Sequence, residues 1–90
     1  MYFIVQHRDI KDWDSFSTKS GEVTKAPGSL ESLQYLPLAD HSAAFCVWYA
    51  DSEATLKQYL DGFCAGLSTN TYFRIDERIA TNLPKVPAAV

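Results

Sequence analysis

Two histidines, two cysteines and an arginine set among aromatic residues are the groups of this 90-residue chain best suited to chemistry. His7 stands late in "YFIVQHR", where an imidazole could act as a base near neutral pH. The plainer role for it is a strand-end histidine bonded to backbone. His41 follows Asp40 in the reversal "ADHS", which suits a turn residue. Cys46 and Cys64 are too few for a disulfide framework and read as buried, reduced thiols. Asp9, Asp12 and Asp14 resemble paired catalytic carboxylates, but acidic residues at a helix start complement the helix dipole and need no further role.

No histidine, cysteine or carboxylate falls at metal-ligand spacing, so neither a structural nor a catalytic metal is expected. Gly-rich phosphate loops, G-x-S-x-G, C-x-x-C and H-E-x-x-H are all missing from the sequence. Any chemistry must therefore come from side chains that the fold brings together.

Six elements can do that. Residues 2–8, "YFIVQHR", read as a strand with two apolar faces. "DIKDWDSFSTKS" reads as a helix capped by Asp9 or Asp12, with Trp13 and Phe16 on one face and Gly21 at its end. "EVTKAPGS" makes the connection, with Pro27-Gly28 as a turn. "LESLQYLPL", 30–38, is a second strand, and Pro37 places it at an edge or strand end. "AAFCVWYA" is a third strand. Ser52 caps a second helix on which Leu56, Tyr59, Leu60, Phe63 and Leu67 recur at helical spacing. "TYFRIDERI" is a fourth strand. The order βαββαβ predicts a ferredoxin-like α+β domain over residues 1–80, with both helices on one face of an antiparallel sheet. Residues 81–90 form a Pro-containing tail.

The size and charge narrow the setting. Ninety residues allow one core, and so short a chain gains from pairing. Eight basic against eleven acidic residues give a net charge of −3, with the basic residues scattered singly. Nucleic acid and anionic membrane are not expected partners. The longest apolar run, residues 43–50, is far short of the roughly 20 residues that cross a bilayer. "YFIV" follows the first residue with no basic region before it, so the cytoplasm is the expected compartment.

Alternation sorts the strands into two faces. Phe3, Val5, Phe45, Val47, Phe73 and Ile75 form a wholly apolar set, assigned to the helices. Tyr2, Ile4, Gln6, Ala44, Cys46, Trp48, Tyr72 and Arg74 form the other, still too apolar to face water. A second copy packed sheet to sheet would cover it, so a homodimer is expected. Within that set Gln6, Trp48, Tyr72 and Arg74 have the make-up of a small-molecule site, apolar walls with a few polar anchors. Packing Trp48 and Tyr72 into a filled dimer interior is the alternative.

"VQHRDIKDWDSF", "FCVWYADSEATLKQYL" and "NTYFRIDE" resemble the dimeric α+β barrel superfamily, which includes antibiotic-biosynthesis-type monooxygenases and many uncharacterised small proteins. The resemblance spans roughly residues 2–80. It implies a dimer and, at most, an oxygenase or isomerase working without metal or cofactor. Many relatives carry an acid after the strand tryptophan, and this chain has Tyr49 there. The expected ligand is a planar or aromatic acid stacked on Trp48 or Tyr72 and gripped by Arg74, with His7 as base.

Overall fold

A computed structural model describes residues 1–21 and 28–86. It contains β1 (Tyr2–Arg8), α1 (Trp13–Ser20), β2 (Glu31–Pro37), β3 (Ala44–Tyr49), α2 (Glu53–Phe63) and β4 (Thr69–Arg74) in that order. The four strands make one antiparallel sheet in the order β2-β3-β1-β4. This is the ferredoxin-like α+β arrangement that the element order predicts. β2 lies at one edge and ends at Pro37, where a residue without an amide hydrogen costs the sheet least.

Local chemistry sets the helix limits. The Asp12 carboxylate accepts from the amides of Asp14 and Ser15, so α1 starts at Trp13. Asp9 instead sits in the left-handed region at φ 53°, which ends β1 in a turn. Ser52 caps α2 by accepting from the Thr55 amide at 3.1 Å. Residues 22–27 of the "EVTKAPGS" connection, including Pro27 of the expected turn, lie outside the described residues, as do residues 87–90. Gly28 has a φ of 64°, suited to its missing Cβ.

β4 corrects an expected boundary. It starts at Thr69 and stops at Arg74, and the stretch from Asp76 turns away from the sheet. The Asp76 side chain accepts from the Arg78 amide at 3.1 Å, and its carbonyl accepts from Ala80, so a local turn replaces the ladder. Beyond it the chain lies back near the start of β1, where the Tyr2 hydroxyl donates to the Pro84 carbonyl at 2.9 Å.

The register overturns the assignment of faces. Phe3 pairs with Trp48 and Arg74, Val5 with Cys46 and Tyr72, and His7 with Ala44 and Asn70. Directly paired residues project to the same side of a sheet. Phe3, Val5, Cys46 and Trp48 therefore share one face, and Leu56 and Leu60 of α2 pack on them. Phe16 of α1 packs with Ala44 and Cys64 on the same side. Phe45, Val47 and Phe73 were expected under the helices and stand on the opposite face with Ile4, Gln6 and Leu36. There Ile4, Leu36 and Phe73 are 36, 49 and 50% exposed. Among the described residues, no helix is long and apolar enough to cross a membrane.

Candidate functional site

The face under the helices is apolar at one end and polar at the other. Phe3, Val5 and Trp48 meet Leu56 and Leu60 of α2, with Tyr59 and Tyr72 packed at the edge of the cluster. Further along, β1 presents His7, β3 Cys46 and β4 Asn70, all turned inward by the register. His7 is 3% exposed and lies against the Phe16 ring, 5.3 Å between centroids. Its Nδ1 is 2.7 Å from Asn70 Oδ1, and its Nε2 is 3.3 Å from Cys46 Sγ.

The hydrogens in this chain of contacts are fixed from its outer end. The Asp61 carboxylate on α2 only accepts, and it takes the Tyr72 hydroxyl at 2.7 Å and the Asn70 amide nitrogen at 3.3 Å. The same Asn70 nitrogen points to the Leu60 carbonyl. Asn70 Oδ1 must then face inward, where it accepts from the Ser68 hydroxyl at 2.9 Å and from His7. His7 accordingly carries its proton on Nδ1 and offers the Nε2 lone pair to the Cys46 thiol.

Burial keeps the pair neutral. Desolvation pulls the His7 imidazole below its usual range, and the Asn70 bond only partly offsets it. Desolvation also pushes the Cys46 thiol up to about 12, with Cys64 adding to the rise, while the Trp48 indole N–H pulls the other way. Burial and the hydrogen bond donated to Asp61 raise the Tyr72 phenol.

Beside this pair runs a crevice whose lining includes His7, Tyr35, Cys46, Trp48, Phe63 and Cys64. It is a narrow, partly enclosed crevice with about 30 Å³ of room for a water-sized occupant. Trp48 is fully buried, and its Nε1–H meets only the Cys46 sulfur, at a geometry short of a full hydrogen bond. An unmet buried donor is uncommon and costly, so this wall suits an acceptor.

The residues expected to form one ligand site are divided by the fold. Trp48 lines the crevice, whereas Tyr72 packs on the adjoining core cluster and bonds Asp61 without lining it. Gln6 lies on the other face of the sheet, in register with Phe45 and Thr71. Arg74 is exposed at the end of β4 and borders a separate surface groove with Ile75, Asp76, Glu77 and Arg78. It therefore bears no burial cost and needs no buried partner. Asp76 in that groove is held below the usual carboxylate range chiefly by the Arg78 side chain.

Three contributors escape the sequence reading. Asn70 and Asp61 look like turn and surface residues, and Tyr35 like one half of an edge-strand alternation. The available signal was that Asn70 is two residues from Tyr72, which places both on one face of a strand. His41 is a turn residue at φ 62°, and its ring stacks on Trp13 at 4.2 Å. Asp40 accepts from Ser42 and does not orient His41. Among the described residues no group of three or more histidine, cysteine or acidic side chains could hold a metal ion. Searches among family profiles, curated proteins and solved structures find no match to this chain.

Proposed function

We propose that the chain works as a homodimeric small-molecule-binding module whose ligand sits at the mouth of the crevice beside Trp48. The buried Trp48 N–H, which meets no acceptor but the Cys46 sulfur, carries this reading, because a ligand acceptor inserted there would satisfy it. The enclosed volume of about 30 Å³ is roughly a tenth of an ordinary ligand pocket, so only one functional group enters. The rest of a flat molecule would lie against Tyr35 and Phe63. Neutral His7, with its lone pair directed inward, supplies a base for proton abstraction. That is the chemistry of a cofactor-independent isomerase or oxygenase, the class implied by the resemblance to the dimeric α+β barrels.

The dimer rests on the uncovered face. Ile4, Leu36, Phe45, Val47 and Phe73 form one apolar surface on a sheet whose other side the helices already fill. A second copy offers the same apolar surface, as two-fold pairing requires. The small enclosed volume also favours a second reading, a non-catalytic dimeric module with a filled interior.

Fluorescence separates the two. In a Trp13→Phe background Trp48 is the remaining tryptophan. Titration with flat aromatic acids and with matching neutral aromatic ketones should give saturable quenching, weakened by Tyr35→Ala and indifferent to Arg74→Ala. Absence of any saturable response to either series selects the filled module.

A further inference from the structure

We propose that Cys46 and His7, oriented by Asn70, form a thiol–imidazole pair that reduces hydrogen peroxide entering the crevice and leaves a sulfenic acid on Cys46. This activity goes beyond ligand binding and requires neither the flat molecule nor the dimer.

Three observations carry it. The thiol, imidazole and amide stand in contact at 3.3 and 2.7 Å, supplied by β3, β1 and β4. The same order of roles, nucleophile, base and orienting amide, serves cysteine hydrolases on unrelated folds. Next to the sulfur, the Trp48 N–H is fully buried and makes only a weak contact with Cys46 Sγ, so it is a donor still open to a departing oxygen that gathers charge. The crevice has about 30 Å³ of room for a water-sized occupant. At roughly 10–15 Å³ for each water-sized occupant, it admits a molecule of two heavy atoms and holds bulkier electrophiles away from the sulfur.

Burial disfavours a standing thiolate, so the pair acts as a neutral nucleophile with a general base. The sulfur attacks the nearer peroxide oxygen, forming the S–O bond as the O–O bond breaks. The thiol proton passes to His7 Nε2 and then to the departing oxygen, which leaves as water while Trp48 donates to it. Sulfur is oxidised by two electrons and the peroxide reduced by two, and the imidazole returns to its neutral form. Cys64 lines the same crevice without an imidazole among its hydrogen-bonding neighbours, and so provides an internal control.

The other titratable or charged groups near the pair are Cys64 and Asp61 from α2 and its end, Tyr35 from β2, Tyr72 from β4 and Lys19 from α1. Burial raises Tyr35, Cys64 and Tyr72, so none of them ionises through the neutral range.

The folded chain, treated with hydrogen peroxide and trapped with dimedone, is digested and examined by mass spectrometry. The adduct should form on Cys46 in large excess over Cys64, with a rate that varies less than about twofold per pH unit between about pH 6.5 and 8. A rate climbing about tenfold per unit, as free thiolate dictates, overturns the proposal. Equal labelling of the two thiols, or no adduct, overturns it as well. A folded His7→Gln chain should react about 100-fold more slowly or worse, and an unchanged rate refutes the role of the imidazole. If His7→Gln does not fold, the wild-type pH profile and the ratio of the two thiols decide alone.

Discussion

His7 shows how a single buried side chain inherits its chemistry from a residue it never touches. Asp61 orients Asn70, Asn70 fixes the imidazole tautomer, and the tautomer decides which nitrogen meets Cys46. The same burial ties stability to pH. Folding lowers the His7 pKa below its ordinary 6.5, so below that pH the unfolded chain takes up the proton first. The His7 contribution is complete above about pH 6.5 and is lost as pH falls towards the folded value. Folding raises Cys46 from 9.0 to about 12, so its contribution is intact below 9 and declines above it. Urea midpoints measured across pH should therefore fall on both sides. The acid limb from His7 alone is no steeper than about 1.4 kcal/mol per unit. Replacing His7 with Gln should flatten that limb, and Cys46→Ser should flatten the alkaline one.

At the scale of elements, the amphipathic spacing of α2 determines which of its residues are buried. Leu56 and Leu60 are 0 and 2% exposed against Phe3, Val5 and Trp48. Leu60→Ala should cost about 2–5 kcal/mol, read as a drop in denaturant midpoint, and coinciding midpoints would contradict the packing. The Ser52 cap and the element order were legible because they depend on neighbours in sequence, which also narrowed the first cap to Asp9 or Asp12. The relative phase of the strands was not. Alternation gives each strand two faces but does not say which face of β3 lies beside which face of β1. Sorting by apolarity put Phe45, Val47 and Phe73 under the helices, because a purely apolar set looks like core. The fold instead buries His7 and Cys46 and lets them and Asn70 satisfy one another, while Phe73 of the greasier set stands half exposed on the opposite face. Trp48 and His7 were recognisable as residues of interest. Their partners were not, since Asn70 and Asp61 gain their roles only through contacts made across nine residues of chain and between elements.

For the whole molecule, the uncovered face sets the expected assembly. A stable pair should bury more than about 1,200 Å² in total. Light scattering at micromolar concentration should give twice the chain mass. Phe73→Asp or Ile4→Asp should yield folded monomer, whereas Trp48→Asp, placed under the helices, should unfold the chain. A wild-type monomer at that concentration contradicts the pairing.

The edge position of β2 has a kinetic consequence. Among the strands it is bonded only to β3, it is exposed along nearly all its length, and it carries a register irregularity between Ser32 and Gln34. Local opening is cheapest where few apolar contacts and many solvent-facing backbone bonds occur together. Tyr35 rides on this strand and forms part of the crevice wall. Entry to Cys46 is therefore paced by how often an edge strand frays, and a reagent of fixed size meets a barrier measured in time as well as in width.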